Sequence, residues 1–303
     1  MDIGIRQASM KRSKTEAKTA NATKKRPTPR VPTAALGPLA EAIASRRLIL
    51  FAGGGVSQNL GLPNFSSLVQ HIAGEMGLEP ESYRTADYSV VAEAFRVTHG
   101  HLGGLRSWMD TTWHPASVQV AKSAIHNLIL DLDFPIIYTT NYDRWLEAAF
   151  DARGKPYEKI ASMADLAHSR EETTQIIKFH GDFSDDESLV LTETSYFQRM
   201  SFESPLDIRL RADCLARPLL FVGYSLQDIN TRYLLFRLQE LWQNSAYSEQ
   251  RPVSYILMTH SNRAQEIVLR SRGIEPIVCE EGDPGKLTER FLRELLKEVK
   301  RLR

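Results

Sequence analysis

Cysteine and long apolar segments are both scarce in this chain of 303 residues. Cys214 and Cys279 are its only cysteines, and two cysteines cannot build the four-cysteine site of a structural zinc module. No apolar run approaches the roughly 18 residues that a membrane span needs. The amino terminus also lacks the apolar core of a signal peptide. We therefore expect a cytoplasmic protein without membrane spans.

The histidines do not show the paired spacing of metal ligands. Five of the eight fall in one stretch of the chain: His71, His99, His101, His114 and His126. We interpret these five as surface or capping residues, because no pair of them has the spacing that a metal site requires. The sequence therefore predicts that the protein binds no metal.

Positive charge is concentrated at the amino terminus. The first 30 residues contain nine lysines and arginines but only two acidic residues, so the net charge of +1 leaves about −6 on the remainder. A mildly acidic body argues against a broad nucleic-acid surface. Residues 1–35 contain few large apolar side chains, and we expect them to form a disordered, solvated tail. The alternative is an arm that docks on a partner or on DNA.

An apolar run, residues 48–52, ends in three glycines, Gly53, Gly54 and Gly55. The run has no helical period, so it predicts a buried parallel strand. Glycines after such a strand let backbone N–H groups approach a pyrophosphate closely. A helical period resumes only near residue 64, which differs from the compact glycine motif of dehydrogenases. The stretch is compatible with a phosphate-binding turn and with a plain structural turn.

Residues 64–130 have a mostly helical pattern. Apolar side chains recur there at helical spacing, and the glycine-rich residues 100–104 interrupt the series. A helical insert between two strands predicts a small cap over the carboxyl edge of the sheet.

Polar residues follow a second apolar strand pattern, residues 134–139. Thr140, Asn141 and Asp143 come after that strand and before a predicted helix, residues 144–150. In open α/β sheets, ligands bind at the carboxyl ends of the strands. The alternative is that Asn141 or Asp143 only caps the helix.

Two further predicted strands end in the same way. Residues 174–179 are followed by His180, and residues 218–222 are followed by Gly223 and Ser225. A histidine at a strand end can face a cleft and exchange protons near neutral pH. Several strands with polar or glycine ends converge on one edge, which favours a functional cleft over independent structural turns.

The carboxyl-terminal third adds two strand patterns, residues 253–258 and 274–279. Six predicted strands thus alternate with helices along the chain, which is the pattern of a parallel sheet. We predict an α/β fold with a Rossmann-like parallel sheet, formed by residues 36–303 as one domain.

Four motifs occur in order: AGGGVS with GLPNF, TTNYD, FHGD and VGYSLQD. This set resembles the sirtuin-like superfamily, and most of all its bacterial branch used in anti-phage defence, over roughly residues 48–260. The resemblance implies that the pyrophosphate and nicotinamide ribose of NAD+ are held by Gly53, Gly54, Val56 and Ser57. It implies that the reacting ribose is surrounded by Asn141, Asp143 and His180, with Thr140 beside them. It also implies that the adenosine-side ribose meets Gly223 and Ser225, with Asp228 as a neighbour.

Two departures from the deacylating sirtuins narrow the expected activity. Those enzymes carry a zinc module of two cysteine pairs, and they have an acid and an arginine where this chain has Asn64 and Ser66. The zinc-free relatives resemble enzymes that hydrolyse NAD+ to nicotinamide and ADP-ribose and so deplete the infected cell. We expect an NAD+ hydrolase. The alternatives are a protein deacylase or ADP-ribosyltransferase, and an inactive nucleotide-sensing scaffold.

The same resemblance implies roles and partners. Asn141 would hold a water or a ribose hydroxyl in line, and neutral His180 would take a proton. Asp143 would stabilise the developing cation or fix the loop. NAD+ is the expected substrate. We also expect a homo-oligomer that joins an ATPase of the HerA type, with no direct DNA binding except through the basic tail.

Overall fold

A computed structural model describes residues 32–63, 65–83, 87–170, 172–224, 229–279 and 281–303. The expectation of disorder in the basic tail therefore falls outside the described residues, apart from residues 32–35. Two predicted site residues, Ser225 and Asp228, lie outside them as well, and so does Asn64.

One seven-stranded sheet forms the centre of the molecule. Its strands are β1 (Ile49–Ala52), β2 (Ile136–Thr139), β3 (Tyr157–Ile160), β4 (Thr174–Lys178), β5 (Leu219–Val222), β6 (Ser254–Met258) and β7 (Ile274–Val278). Their order across the sheet is β3-β4-β2-β1-β5-β6-β7, and every neighbouring pair is parallel. This arrangement confirms the predicted Rossmann-like α/β fold.

Strand β3 is absent from the six predicted strands. It lies at the edge of the sheet and pairs with β4. Its sequence, YEKI, contains no apolar run, and only Ile160 is fully buried. An edge strand covered on one side does not need apolar residues at every position, so the apolar pattern that predicted the other strands is missing here.

Helices lie in most of the connections between strands. Their bounds are α1 (Leu36–Ala44), α2 (Gly55–Gln58), α3 (Phe65–Glu75), α4 (Pro80–Tyr83), α5 (Tyr88–His99), α6 (Gly103–Trp113), α7 (Ala124–Leu132), α8 (Trp145–Ala152), α9 (Met163–His168), α10 (Glu193–Arg199), α11 (Pro205–Ala216), α12 (Ile229–Gln243), α13 (Arg263–Ser271) and α14 (Pro284–Leu302). Short 3-10 turns occur at Val120–Lys122, Asp186–Ser188 and Ser248–Gln250. None of the helices in the described ranges is both long enough and apolar enough to cross a membrane.

The central strands are buried at every position because helices cover both faces. On one face, Leu50 packs with residues of α1, α7, α8 and α14. On the other face, Phe51 packs with residues of α11, α12 and α13. Continuous apolar runs in β1, β2 and β5 follow from this two-sided burial.

The helices between β1 and β2 divide into two groups. Apolar residues of α3, α5 and α6 form a separate cluster with Tyr142, Phe183, Leu189 and Leu191, which come from the loops after β2 and β4. Helix α7 instead packs on the sheet with the main core. The α3, α5 and α6 group therefore contacts the loops at the carboxyl edge directly.

Two local expectations about this region are wrong. A one-turn helix, α2, begins at Gly55, with only two residues between it and the end of β1, whereas the pattern predicts a helix only from about residue 64. A single turn is too short to show a helical period in sequence. His126 is fully buried in α7, whereas we interpret it from sequence as a surface or capping residue.

Candidate functional site

The ends of β1 and β5 are joined by close packing of glycine backbones. The Gly53 N–H donates to the Val222 carbonyl, and the Gly55 N–H donates to the Gly223 carbonyl, at 2.9 and 2.8 Å. A Cβ on Gly53 would lie 2.4 Å from the Gly223 oxygen, and a Cβ on Gly223 would lie 2.5 Å from the Val56 nitrogen. Gly223 also has a φ of +65°, which favours glycine. These glycines are required by loop-on-loop contact.

Gly54 differs from its two neighbours. It is exposed, its φ of −54° is open to any residue, and a Cβ built on it would meet no described atom within 4 Å. Nothing that the structure describes therefore requires glycine at this position. A ligand that approaches the backbone closely would require it.

The two residues that complete the AGGGVS motif face inward. Val56 is fully buried in the main core, and its N–H donates to the Gly53 carbonyl. Ser57 is 3% exposed, and its hydroxyl donates to Asp143 Oδ1 at 3.1 Å. In this structure both side chains support the turn from beneath, so any ligand contact by them has to be made through the backbone or after a rearrangement.

Asn141 links the end of β2 to the glycine turn. Its side-chain Nδ2 donates to the Gly53 carbonyl at 3.2 Å, and its backbone N–H donates to Thr139 Oγ1 at 3.1 Å. Asn141 and the adjacent Thr140 are both half-buried. The structure thus places the side-chain amide of Asn141 beside the glycine turn, and part of the Asn141 surface remains accessible.

The Asp143 carboxylate accepts hydrogen bonds from two different segments of the chain. Its Oδ1 accepts from the Ser57 hydroxyl and from the Trp145 N–H, both at 3.1 Å. Trp145 is the first residue of α8, so the helix-start role that the sequence left open for this carboxylate is present. With 8% of its surface exposed, Asp143 joins the β1 turn to the β2 loop.

His180 lies on the neighbouring strand end. Thr139 of β2 pairs with Lys178 of β4, so Asn141 and His180 each lie two residues beyond a paired position. The His180 ring is 3% exposed and meets the ring of Tyr196 edge-on at 5.6 Å. Tyr196 in turn shares a 2.5 Å hydrogen bond with the hydroxyl of Tyr88 on α5. The helical group therefore contacts the residues around His180.

The glycine after His180 is required by the local backbone. Gly181 has a φ of +90°, and a Cβ there would lie 2.1 Å from the Ser188 carbonyl oxygen. The His180 carbonyl accepts from the Val190 N–H at 3.0 Å. These contacts fold the segment after β4 back on itself, which fixes the backbone on both sides of the histidine.

Four charged residues lie beneath these loops, and of these the sequence motifs include only Asp182. Lys178 is fully buried, and its Nζ lies 3.3 Å from Glu147 Oε1 and 3.9 Å from Asp182 Oδ2. Asp182 Oδ1 lies 2.9 Å from Lys159 Nζ. Burial alone would raise the pKa of Asp182, but hydrogen bonds from Lys159 and Ser184 and the charge of Lys178 outweigh it and lower that pKa to about 2. A lysine that directly follows the two apolar residues Ile176 and Ile177 of the strand is the signal that points to them.

His126 lies behind the glycine turn. Its Nδ1 is 2.8 Å from the Ser123 hydroxyl, which contacts Asn59, and the Asn59 side chain donates to the Val56 carbonyl at 2.8 Å. Burial lowers the pKa of His126 to about 4, against the opposing effect of the Asp143 charge. His126 is therefore a neutral, internal part of the support for this turn.

A cleft of about 320 Å³ opens beside the end of β4. Phe179 and Gly181, the residues on either side of His180, line it together with Arg199. The Arg199 guanidinium lies 4.3 Å from the centre of the Phe179 ring and 2.6 Å from Asp207. Within the described ranges, no group of three or more His, Cys, Asp or Glu residues is arranged to hold a metal ion.

The arrangement offers three chemical elements at one sheet edge. Gly54 provides an open backbone, Asn141 provides an amide that can orient a hydroxyl or a water, and His180 provides an imidazole that can accept a proton.

The chain is similar to several known SIR2-like proteins. Residues 135–277, just under half of the chain, match the SIR2-like domain family. The NAD(+) hydrolase ThsA of Cytobacillus dafuensis is 27% identical over 63% of this chain and 38% of its own length. Defense-associated sirtuin 2 of Bacillus subtilis is 27% identical over 68% of this chain and 21% of its own length. These matches support the resemblance to the defence-associated, sirtuin-like branch.

The chain spans about two fifths or less of the length of these curated relatives. Among solved structures, a Sir2 homologue in complex with NAD superimposes on 86% of this chain and 94% of its own, with 12% identity and a TM-score of 0.47.

Proposed function

We propose that this chain hydrolyses NAD+ to nicotinamide and ADP-ribose. The observation that carries the proposal is the hydrogen bond from Asn141 to the Gly53 carbonyl, which sets a half-buried amide beside the one glycine of the turn that internal packing does not require. Similarity to relatives named NAD(+) hydrolase supports the same activity.

In this proposal, NAD+ lies along the carboxyl edge of β2, β1 and β5. The pyrophosphate meets the open backbone at Gly54, next to Gly53, with Val56 and Ser57 supporting the turn from below. The adenosine-side ribose lies toward Gly223. Ser225 and Asp228, which the resemblance also implies for this ribose, lie outside the described residues. The nicotinamide ribose lies toward Asn141 and His180.

Hydrolysis requires the bond between nicotinamide and ribose C1′ to break as positive charge builds on the sugar. Asn141 orients the attacking water or a ribose hydroxyl, with Thr140 next to it in the same loop. Neutral His180 accepts the proton that the water or hydroxyl releases. Asp143 acts mainly by holding the loop, because its Oδ1 already accepts two hydrogen bonds from the protein.

The direct test is a product analysis. Purified protein is incubated with NAD+, and nicotinamide and ADP-ribose are separated and quantified. Equal amounts of the two products are expected, with no dependence on added metal or chelator. Release of nicotinamide only in the presence of an acetyl-lysine peptide, with transfer of the acetyl group, would instead identify a deacylase.

We further propose that the activity serves anti-phage defence by depleting NAD+. The name of the Bacillus subtilis relative, a defense-associated sirtuin, supports this role. An enzyme that destroys NAD+ would harm its own cell, so we expect restraint until infection, within a homo-oligomer that joins a HerA-type ATPase. Light scattering and co-purification with such an ATPase test the assembly, and full activity of an isolated monomer would contradict it.

A further inference from the structure

Four charges form a buried chain beneath the carboxyl edge of β2 and β4. We call Lys159, Asp182, Lys178 and Glu147 the buried charge chain; successive members are 2.9, 3.9 and 3.3 Å apart. Lys178, Asp182 and Glu147 are each at least nine-tenths buried, and Lys159 reaches the surface. The two positive and two negative charges balance over the chain as a whole, and the pairing with Lys159 reaches from the interior to the surface.

Lys178 is the member that touches the proposed catalytic loop. Its Nζ donates to the carbonyl of Tyr142 at 3.2 Å and to the carbonyl of Asp143. These carbonyls lie between Asn141 and the start of α8. Lys178 is also two residues before His180 on β4. One ammonium group therefore connects the two strand ends that carry Asn141 and His180.

Packing alone does not explain a lysine at this position. The preceding residues of β4, Ile176 and Ile177, are apolar and equally buried, and burying a charged side chain is unfavourable unless it is paired and hydrogen-bonded. The loop turns two backbone carbonyls inward, and buried carbonyls need donors. A lysine supplies both donors from one atom, whereas an aliphatic side chain supplies none.

We propose that Lys178 is a positioning residue that sets the loop of Asn141 relative to His180, with Glu147 as its counter-charge. The proposal rests on the proposed hydrolysis of NAD+. Lys178 acts mainly on turnover and not on NAD+ affinity, because the glycine turn keeps its own hydrogen bonds from Gly53 to Val222 and from Gly55 to Gly223.

The decisive variant is Lys178→Met combined with Glu147→Gln. The single change Lys178→Met leaves Glu147 as an unpaired buried charge and threatens folding, whereas the double variant removes both charges and keeps similar volumes. It lacks the donors to the two loop carbonyls. We expect kcat per folded molecule to fall about 10–100-fold through misplacement of reacting groups, while KM for NAD+ changes less than about threefold.

A matched control removes another ion pair, from helix α11, that contacts the same two strands. Arg209 and Asp213 pair at 2.9 Å on the opposite face of the sheet, where they bond to Gln175 of β4 and Tyr138 of β2. The variant Arg209→Met with Asp213→Asn should keep kcat within about twofold of wild type, because these contacts lie away from the loop carbonyls. A comparable loss of kcat in this control would show general loosening of the sheet and would overturn the proposal.

Amide hydrogen exchange supplies a readout that does not depend on activity. In the Lys178 and Glu147 double variant, exchange should rise in peptides that cover residues 139–145 and stay unchanged in those that cover residues 48–56. An unchanged kcat, or unchanged exchange in residues 139–145, would overturn the positioning role. If the wild-type chain itself releases no nicotinamide, the proposed function fails, and the exchange measurement alone decides whether Lys178 orders the loop.

Discussion

The loops after β1 and β5 are joined by backbone packing, whereas the loops after β2 and β4 are supported by buried charges. On the first side, Gly53 and Gly223 approach so closely that neither tolerates a Cβ. On the second side, Lys178 bonds to loop carbonyls and pairs with Glu147. Backbone packing fixes the turn without charge, whereas a loop supported by an ion pair is also sensitive to the loss of one of the two ions. The proposed site combines a fixed turn for binding with a loop whose position depends on electrostatics.

The largest expected effect is a loss of turnover without a loss of NAD+ affinity in variants of His180 and Asn141. His180→Ala and Asn141→Ala each remove a side chain from the loops after β2 and β4, and both leave the glycine turn after β1 in place. Loss of a general base or of a positioned amide typically lowers rates about 10²–10⁴-fold. We expect turnover to fall at least about 100-fold in both variants while NAD+ affinity changes little, because the phosphates are bound elsewhere. End-point product assays measure turnover, and calorimetric titration measures NAD+ affinity.

Thermal unfolding of the same two variants provides the control. If they melt well below the wild type and lose activity only in proportion to unfolded protein, Asn141 and His180 are structural residues. Turnover per folded molecule close to wild type in both would remove them from the proposed mechanism.

The second prediction concerns the loops after β1 and β5, and it compares alanine substitutions at two of their glycines. Gly223→Ala adds a Cβ at positive φ, 2.5 Å from the Val56 nitrogen, and should lower the free energy of unfolding by at least about 2 kcal/mol or prevent folding. Gly54→Ala adds a Cβ that meets no described atom within 4 Å. It should leave stability within about 0.5 kcal/mol but raise KM for NAD+.

Chemical denaturation and NAD+ kinetics on the two alanine variants measure this difference. Equal destabilisation by both changes would contradict the distinction between packed and open glycines. Normal KM in a folded Gly54→Ala variant would show that no ligand approaches that backbone closely.

The third prediction concerns His126, which lies between the two sides. Because its pKa is lowered to about 4 in the folded chain, the unfolded chain takes up the proton first as the pH falls from about 6.5. Stability is therefore fully present above pH 6.5 and is lost progressively toward pH 4, by an amount on the order of 3 kcal/mol. His126→Gln should flatten this part of the stability profile. His168→Gln, which changes an exposed histidine on α9, should not.

The smallest expected effect concerns Asp182. Its pKa is about 2 in the folded chain, so its contribution to stability is present above the unfolded value near 4 and disappears as the pH falls to about 2. Asp182→Asn should destabilise the protein at pH 7, and the difference from wild type should shrink over this window. Asp131→Asn removes only an exposed pair with Arg153 and should change stability by less than about 1 kcal/mol at any pH. A pH-independent deficit in the Asp182 variant would contradict the charge-based account.

The sequence by itself determined the parallel sheet and the elements that carry the site. Apolar runs ending in glycine, Asn141 and His180 predict buried strands whose ends share an edge, because parallel strands buried on both faces need continuous apolar residues. Edge strand β3 and the single-turn helix α2 were not predictable in this way, since a half-buried strand and a one-turn helix leave no clear period.

Only the tertiary structure shows what each predicted site residue contacts. Three consecutive glycines look alike in sequence, yet Gly53 and Gly55 are required by contact with Gly223, and Gly54 is not. Lys178 is one of three polar residues in the strand TQIIK, and its contact with carbonyls from a loop about 35 positions earlier is visible only in the structure. Local patterns specify which segments are buried, whereas contacts between distant segments specify which groups are already paired and which remain available to a ligand.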